Sequence, residues 1–254
     1  MVTYSHSRLS TFESCPLKYK FHYIEQLEPD IKQSIEGFLG NMVHDTLEWI
    51  YNIAKEKTPQ LDEVIQHYIE NWHKEFEDNI KIVKKENNAE YYFNQGIKYL
   101  IDYFQKHYPF QDNTIATEKK IIINLDFDGK YKLVGFIDRL VHHKEKNICE
   151  IHDYKTNGFL KTQEELDNDR QLALYSIGVR DLFGNLSDVH LIWHFLAFNE
   201  QRVSKRTKEQ LDKLKKEIIA LIEKIESTED FKPKPSKLCE WCEFRSYCDA
   251  KPSM

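Results

Sequence analysis

Two hydrophobic patterns succeed one another along this chain. Apolar residues recur every three or four positions over most of the first hundred residues, the spacing of amphipathic helices. Segment 7–26 is predicted helical, with Ser5 or Ser7 as its cap and Pro16 marking a break or the first turn of a second helix. Further helices are predicted from about Glu36 to Ile53, Leu61 to Asp78 and Ala89 to Tyr108. The stretch from Thr58 to Pro109 is highly charged and poor in glycine, and reads as a helical subdomain on one side of a core.

The pattern then changes. Segments 115–127, 131–143 and 147–155 are rich in β-branched residues and bounded by Asp128-Gly129 and Lys144–Asn147 turns, so they predict three antiparallel strands. A helix over Gln163–Phe183 and a buried strand over 188–198 follow. Leu211, Leu214, Ile218, Ile222 and Ile225 then mark one apolar stripe of a long helix. From Phe231 the chain, with two prolines and three cysteines, reads as an extended tail folding back over the domain. The pattern gives one domain, 1–254, in four parts: N-terminal helices 1–57, a helical subdomain 58–110, a core 111–230 and a cysteine tail 231–254.

Composition narrows the class. Apolar content of 41% and charged content of 31% describe an ordinary soluble protein with a charged surface. No apolar run approaches the roughly 20 residues that span a bilayer, and no secretory leader pattern opens the sequence, so the expectation is a cytoplasmic protein without a membrane partner. The net charge of −6 lowers the prior for a nucleic-acid binder, but clustered carboxylates are also what a metal-dependent phosphodiesterase needs. Basic residues concentrate at Lys205, Arg206, Lys208, Lys213, Lys215 and Lys216 and around Lys232, Lys234 and Lys237. A solvated helix face and turn explain them at least as well as a phosphate track.

Four of the five cysteines lie at the two ends: Cys15, then Cys239, Cys242 and Cys248. In a chain without an export signal, metal ligation is favoured over disulfides. Spacing C-x2-C-x5-C with one distant partner is unusual for a zinc finger and fits thiolate ligation of an iron–sulfur cluster better, with structural Zn²⁺ as the alternative. Either centre would clasp one end of the chain to the other. Cys149 reads as a small buried hydrophobe.

Two strands carry acidic chemistry: GFIDR, Gly135–Arg139, and EIHDYK, Glu150–Lys155. A turn near Lys144–Lys146 would lay Asp138 beside Asp153. Asp153 and Lys155, two apart on one strand, share a face while Tyr154 points away. Burying two carboxylates and an ammonium together needs compensation, and a divalent cation, Mg²⁺ or Mn²⁺, provides it.

These residues resemble the motifs of the PD-(D/E)XK nuclease superfamily, and more narrowly its RecB-like branch. Gly40–His44 is similar to the G-x-x-x-H helix motif, GFIDR to the G-x-x-D-R strand, DYKT (Asp153–Thr156) to the catalytic strand and Gln171–Tyr175 to the Q-L-x-x-Y helix. Ser7-x-Leu9, Phe12-x-x-Cys15-Pro16-x-x-Tyr19 and the terminal cysteines resemble the iron–sulfur members, among them the AddB nuclease domain and the CRISPR-associated adaptation nucleases. The matches keep their order from residue 7 to 248.

The resemblance implies an α/β (α+β type) fold: a restriction-endonuclease-like mixed sheet flanked by helices, with a helical insertion and an iron–sulfur clasp. It implies that His44, Asp138, Asp153 and the carbonyl of Tyr154 hold Mg²⁺ or Mn²⁺. Lys155 would orient or deprotonate the attacking water, with Gln171 and Tyr175 orienting Lys155 or the phosphate. Cys15, Cys239, Cys242 and Cys248 would hold a [4Fe-4S] cluster. The bland readings are a core histidine for His44, a surface lysine for Lys155 and helix packing for Gln171 and Tyr175. Glu118 at the first strand reads either as a further site acid or as a strand-edge charge beside Lys119 and Lys120.

The expected function is a metal-dependent deoxyribonuclease, a single-strand exonuclease in repair, recombination or CRISPR spacer processing. Its partners are DNA with single-stranded or frayed ends and a separate helicase or CRISPR adaptation protein, since no phosphate-loop motif is encoded. The alternative is a catalytically silent DNA-end-binding module of the same fold.

Overall fold

The computed structural model describes residues 3–31, 33–77, 79–84 and 86–250. A five-stranded sheet in the order β1-β2-β3-β4-β5 forms its centre: β1 Thr114–Asn124, β2 Lys132–His143, β3 Ile148–Lys155, β4 Asp188–Phe195 and β5 Glu200–Ser204. β1, β2 and β3 run antiparallel, β3 and β4 parallel, and β4 and β5 antiparallel, so the sheet is mixed. The parallel pair needs a crossover, which α6 (Gln163–Asp167) and α7 (Arg170–Phe183) supply.

One helical layer holds α1 (His6–Ser14), α2 (Pro16–Tyr19), α7 and α8 (Lys208–Glu226). Its core joins Leu9, Phe12, Ile121, Ile137, Ile151, Leu174, Trp193 and Ile222. The other layer is α3 (Ile35–Ile53), α4 (Leu61–Glu75) and α5 (Ala89–His107), packed through Phe38, Leu47, Trp72, Tyr103 and Tyr154. The predicted helical subdomain is thus α4 and α5 laid against α3. Caps explain the helix starts: Ser5 accepts the N–H of Arg8, and Pro16 opens α2, where its missing N–H has no partner to lose.

Three expectations need adjustment. The helix over 163–183 is two helices, because Asp169 caps the second by accepting the N–H of Gln171. The strand after it ends at Phe195 and residues 196–198 form a single 3₁₀ turn. β5, whose sequence is Glu-Gln-Arg-Val-Ser, carries too little apolar signal to read as a strand. Cys149 is buried in the core as expected.

Candidate active site

The site sits where β2 and β3 part. Their backbone pairing stops at Arg139 opposite His152. One position further the register brings Asp138 opposite Asp153, and the Tyr154 N–H donates to Asp138 Oδ2 at 2.8 Å. On β1 the register brackets Glu118 opposite Asp138, between Thr117–Arg139 and Lys119–Ile137. Glu118 holds φ at +43°, left-handed backbone that costs a non-glycine residue on the order of 1–3 kcal/mol. That kink lies mid-strand, where the sequence reading put Glu118 at the strand's start.

His44 reaches the same point from α3. Its Nε2 lies 2.8 Å from the Tyr154 carbonyl oxygen and its Nδ1 3.5 Å from Asp138 Oδ2. Gly40, one turn earlier, has no side chain to separate the helix from Thr156: a Cβ there would stand 3.3 Å from the threonine hydroxyl. Ligand atoms of His44, Glu118 and Asp138 all fall within 4.8 Å of one another.

Lys155 and Gln171 complete the arrangement from the opposite side. Lys155 Nζ donates to Asp153 Oδ1 at 3.0 Å and to Gln171 Oε1 at 3.1 Å, while Gln171 Nε2 donates to the same Asp153 oxygen at 3.1 Å. Asp153 Oδ2 lies 2.7 Å from the ammonium but accepts no well-directed hydrogen bond. Tyr175, four residues on, is buried against Gly135: a Cβ on that glycine would come 2.3 Å from the Tyr175 ring.

The electrostatics follow from burial. Desolvation raises the Asp138 carboxyl well above its ordinary range, His44 opposes this and Asp153 adds to it. Burial works against the Lys155 ammonium, but Asp153, Asp138 and Asp169 outweigh it and hold its pKa above the usual lysine value. Burial likewise raises Glu118, with His44 opposing. Burial drives the Asp138 and Glu118 carboxyls toward protonation despite His44, and a bound cation would offset that. Ligand atoms 3.5 Å apart match two cation bonds of ~2.1 Å at an open angle. With Glu118 within 4.8 Å of both, these residues fit a divalent ion.

His44, Asp138, Asp153, Tyr154, Lys155, Gln171 and Tyr175 therefore lie around one part of the sheet, with differences in detail, while the four cysteines lie apart from them. Asp153 turns toward Lys155 and Gln171, and Glu118, not Asp153, joins His44 and Asp138 in the group whose ligand atoms lie within 4.8 Å. The Tyr154 carbonyl is engaged by His44. Glu118 could be found in the sequence only as an acid near a strand. What makes it part of the cluster is the register and the backbone kink.

Behind the site, Arg139 is buried. It donates through Nε to the Tyr154 hydroxyl at 2.9 Å and through Nη2 to His152 Nδ1 at 2.8 Å, and pairs with Asp112. Its guanidinium lies 4.2 Å from the Tyr51 ring centre.

Cys15, Cys239, Cys242 and Cys248 line one cavity of about 110 Å³. The Lys234 N–H points at Cys15 Sγ at 3.4 Å and the Ser236 N–H at Cys239 Sγ at 3.3 Å, donors suited to thiolates. Buried Phe244 walls the cavity and packs on Phe21.

The chain belongs to the PD-(D/E)XK nuclease superfamily, which matches residues 3–249. Such nucleases typically use divalent metals. No curated protein matches the chain. Among solved structures, the "Putative exonuclease" from Eubacterium rectale aligns with a TM-score of 0.55 at 12% identity, covering 99% of this chain and 90% of its own, which shows a shared fold. SSO0001 aligns at 0.45 and 13% identity over 96% and 86% of the two chains, too low a score to add to that. No helix among the described residues is long and apolar enough to cross a membrane.

Proposed function

We propose that this protein is a metal-dependent deoxyribonuclease of the RecB-like branch: an exonuclease on single-stranded ends, serving repair, recombination or CRISPR spacer processing in the cytoplasm. The observation that carries this reading is the meeting of His44, Glu118, Asp138, Asp153 and Lys155 where β2 and β3 separate. Mg²⁺ or Mn²⁺ would be held by His44, Asp138, Asp153 and the Tyr154 carbonyl, with Glu118 in reach, and would supply Lewis acidity that lowers the pKa of water at the site.

The chain's own groups do the rest. Lys155, its charge reinforced by three carboxylates, stabilises negative charge growing on the phosphate and orients the attacking water rather than deprotonating it. Gln171 bridges Lys155 and Asp153 and fixes their spacing. Tyr175 packs against Gly135 and so supports β2, the strand that carries Asp138. The whole chain serves as one nuclease domain, with α4 and α5 guiding the strand and the tail as a clasp.

The test is to incubate labelled single- and double-stranded DNA with Mn²⁺. Shortening of the single strand that Asp153→Ala and Lys155→Ala both abolish supports the enzyme. Uncut DNA bound tightly by the wild type replaces it with the silent end-binding module.

For the four cysteines the reading is a [4Fe-4S] cluster, supported by their common cavity and the N–H groups aimed at two sulfurs. Protein purified without air should be brown and contain iron. Colourless, zinc-loaded protein overturns the cluster and leaves a structural zinc centre.

A further inference from the structure

The outer half of the β1–β2 hairpin extends beyond the rest of the sheet, and the free side of β2 there is met only by Tyr4, whose N–H and C=O bond Lys132 and Val134. One face of this hairpin is packed: Ile121, Ile123, Leu133 and Ile137 are buried, and Gly135 lies under Tyr175. The alternate positions form the other face. They run in register from Glu118 opposite Asp138 to Lys120 opposite Phe136, Ile122 opposite Val134 and Asn124 opposite Lys132.

That face is open. Phe136 is 52% exposed and Ile122 58% exposed, and neither Lys120 nor Lys132 forms an ion pair among the described residues. The half-exposed Phe136 and Ile122 share this face with Lys120, directly opposite Phe136, and with Lys132 two cross-strand pairs further on, so apolar area and positive charge lie together on an exposed pair of strands. The face is also continuous with the acid cluster. Each cross-strand pair is about 6.7 Å from the next along the hairpin, a distance one nucleotide of an extended strand can follow.

We infer that this hairpin face is the platform for the unpaired DNA strand leaving the site, with Phe136 stacking on a base and Lys120 meeting the neighbouring phosphate. The inference rests on the nuclease reading for its substrate. Its chemistry is that of sequence-tolerant single-strand binding, in which aromatic faces take the bases and cations take the backbone. The cross-strand neighbours Lys120 and Phe136 offer a cation for the phosphate and a ring for the base of one nucleotide, and the carboxylates at one end of the track leave the scissile phosphate to the divalent ion.

The experiment measures binding without catalysis. Anisotropy of a labelled oligothymidylate, and of an abasic strand of equal length, is followed in metal-free buffer for wild type, Phe136→Ala, Phe136→Trp and Lys120→Ala. Phe136→Ala should weaken oligothymidylate binding about tenfold and leave the abasic strand unaffected, while Phe136→Trp restores affinity. Lys120→Ala should weaken both strands and lower the salt slope by about one ion. Both side chains are exposed, so unchanged melting temperatures are expected to accompany these effects.

Wild-type protein that does not bind the oligothymidylate, a Phe136→Ala protein that binds it as wild type does, or equal losses on both strands would overturn the platform. So would a self-association, seen by light scattering, that Phe136→Ala removes while DNA affinity holds. The two readings fail separately. DNA that is cut normally with affinity indifferent to Phe136 removes the platform and keeps the nuclease. Ring-dependent binding without any cutting removes the nuclease and keeps the platform.

Discussion

The carboxylate of Asp138 accepts the backbone N–H of Tyr154 across the end of the β2–β3 ladder. A side chain thus replaces the main-chain acceptor that a continued ladder would supply, and the strands open at that point. The opening gives His44, from one helical layer, access to the Tyr154 carbonyl. Gln171 meets Asp153 from the other layer.

Gln171 spends both halves of its amide on its neighbours, Oε1 accepting from Lys155 and Nε2 donating to Asp153. Its replacement by alanine should lower the cleavage rate by roughly 10–100-fold, the range for groups that orient ligands and catalytic side chains. DNA affinity in metal-free buffer should stay at wild-type level. Single-turnover kinetics beside anisotropy separates the two, and an equal loss in both would contradict the positioning role.

Metal affinity should rise with pH. The Asp138 carboxyl has a raised pKa, so in the metal-free protein it keeps its proton above the ordinary range near about 4. Binding a cation must release that proton, and binding therefore tightens as pH climbs from that range toward neutrality. Titration calorimetry in buffers of different ionisation enthalpy reads the proton release directly. The same shift means that metal-free stability declines on this group's account over that interval. Asp138→Asn should raise the metal-free melting temperature at neutral pH.

Acid should unfold the α5 side of the sheet. His107, His152 and His194 are all held below the usual histidine range, burial first and then neighbouring positive groups, Arg139 among them. His152 and His194 stack and share a hydrogen bond beside Arg139. The unfolded chain takes up protons at these residues below about 6.5 while the folded chain does not, so stability falls as pH drops through that range. His194→Phe should flatten the melting temperature between pH values of about 6.5 and 4, and an unaltered slope would exclude the cluster as its source.

Gly135→Ala should cost about 1–3 kcal/mol, since the new methyl would lie against the buried ring of Tyr175. Combining it with Tyr175→Leu should recover part of that loss. A chemical-denaturation double-mutant cycle with zero coupling would place the strain elsewhere.

Much of this was legible in the residues. The strands carrying Asp138 and Asp153 announce themselves by β-branched runs and turn signals, and the four-residue turn between them dictates that the two acids oppose each other. The long stripe of Leu211, Ile218, Ile222 and Ile225 gave α8. Other features have no one-dimensional signature. β5 is a polar edge strand specified by its pairing to β4, and the break before Arg170 depends on a single aspartate cap. The place of Glu118 depends on a left-handed backbone that no side-chain pattern encodes. Phe136 reads as one more strand hydrophobe, and only the fold shows that about half of it stays exposed.

Tyr154 carries a last consequence. Its amide and carbonyl serve the acidic centre, while its phenol is bonded to Arg139 and Tyr103 in the aromatic interior. A slip of β3 by one residue would swing the phenol out of that interior and push Asp153 in, stranding a guanidinium among rings. Misaligned strands are thereby penalised at folding, before any substrate is met, and the spacing of the acidic cluster is proofread by the same contacts that hold the protein together.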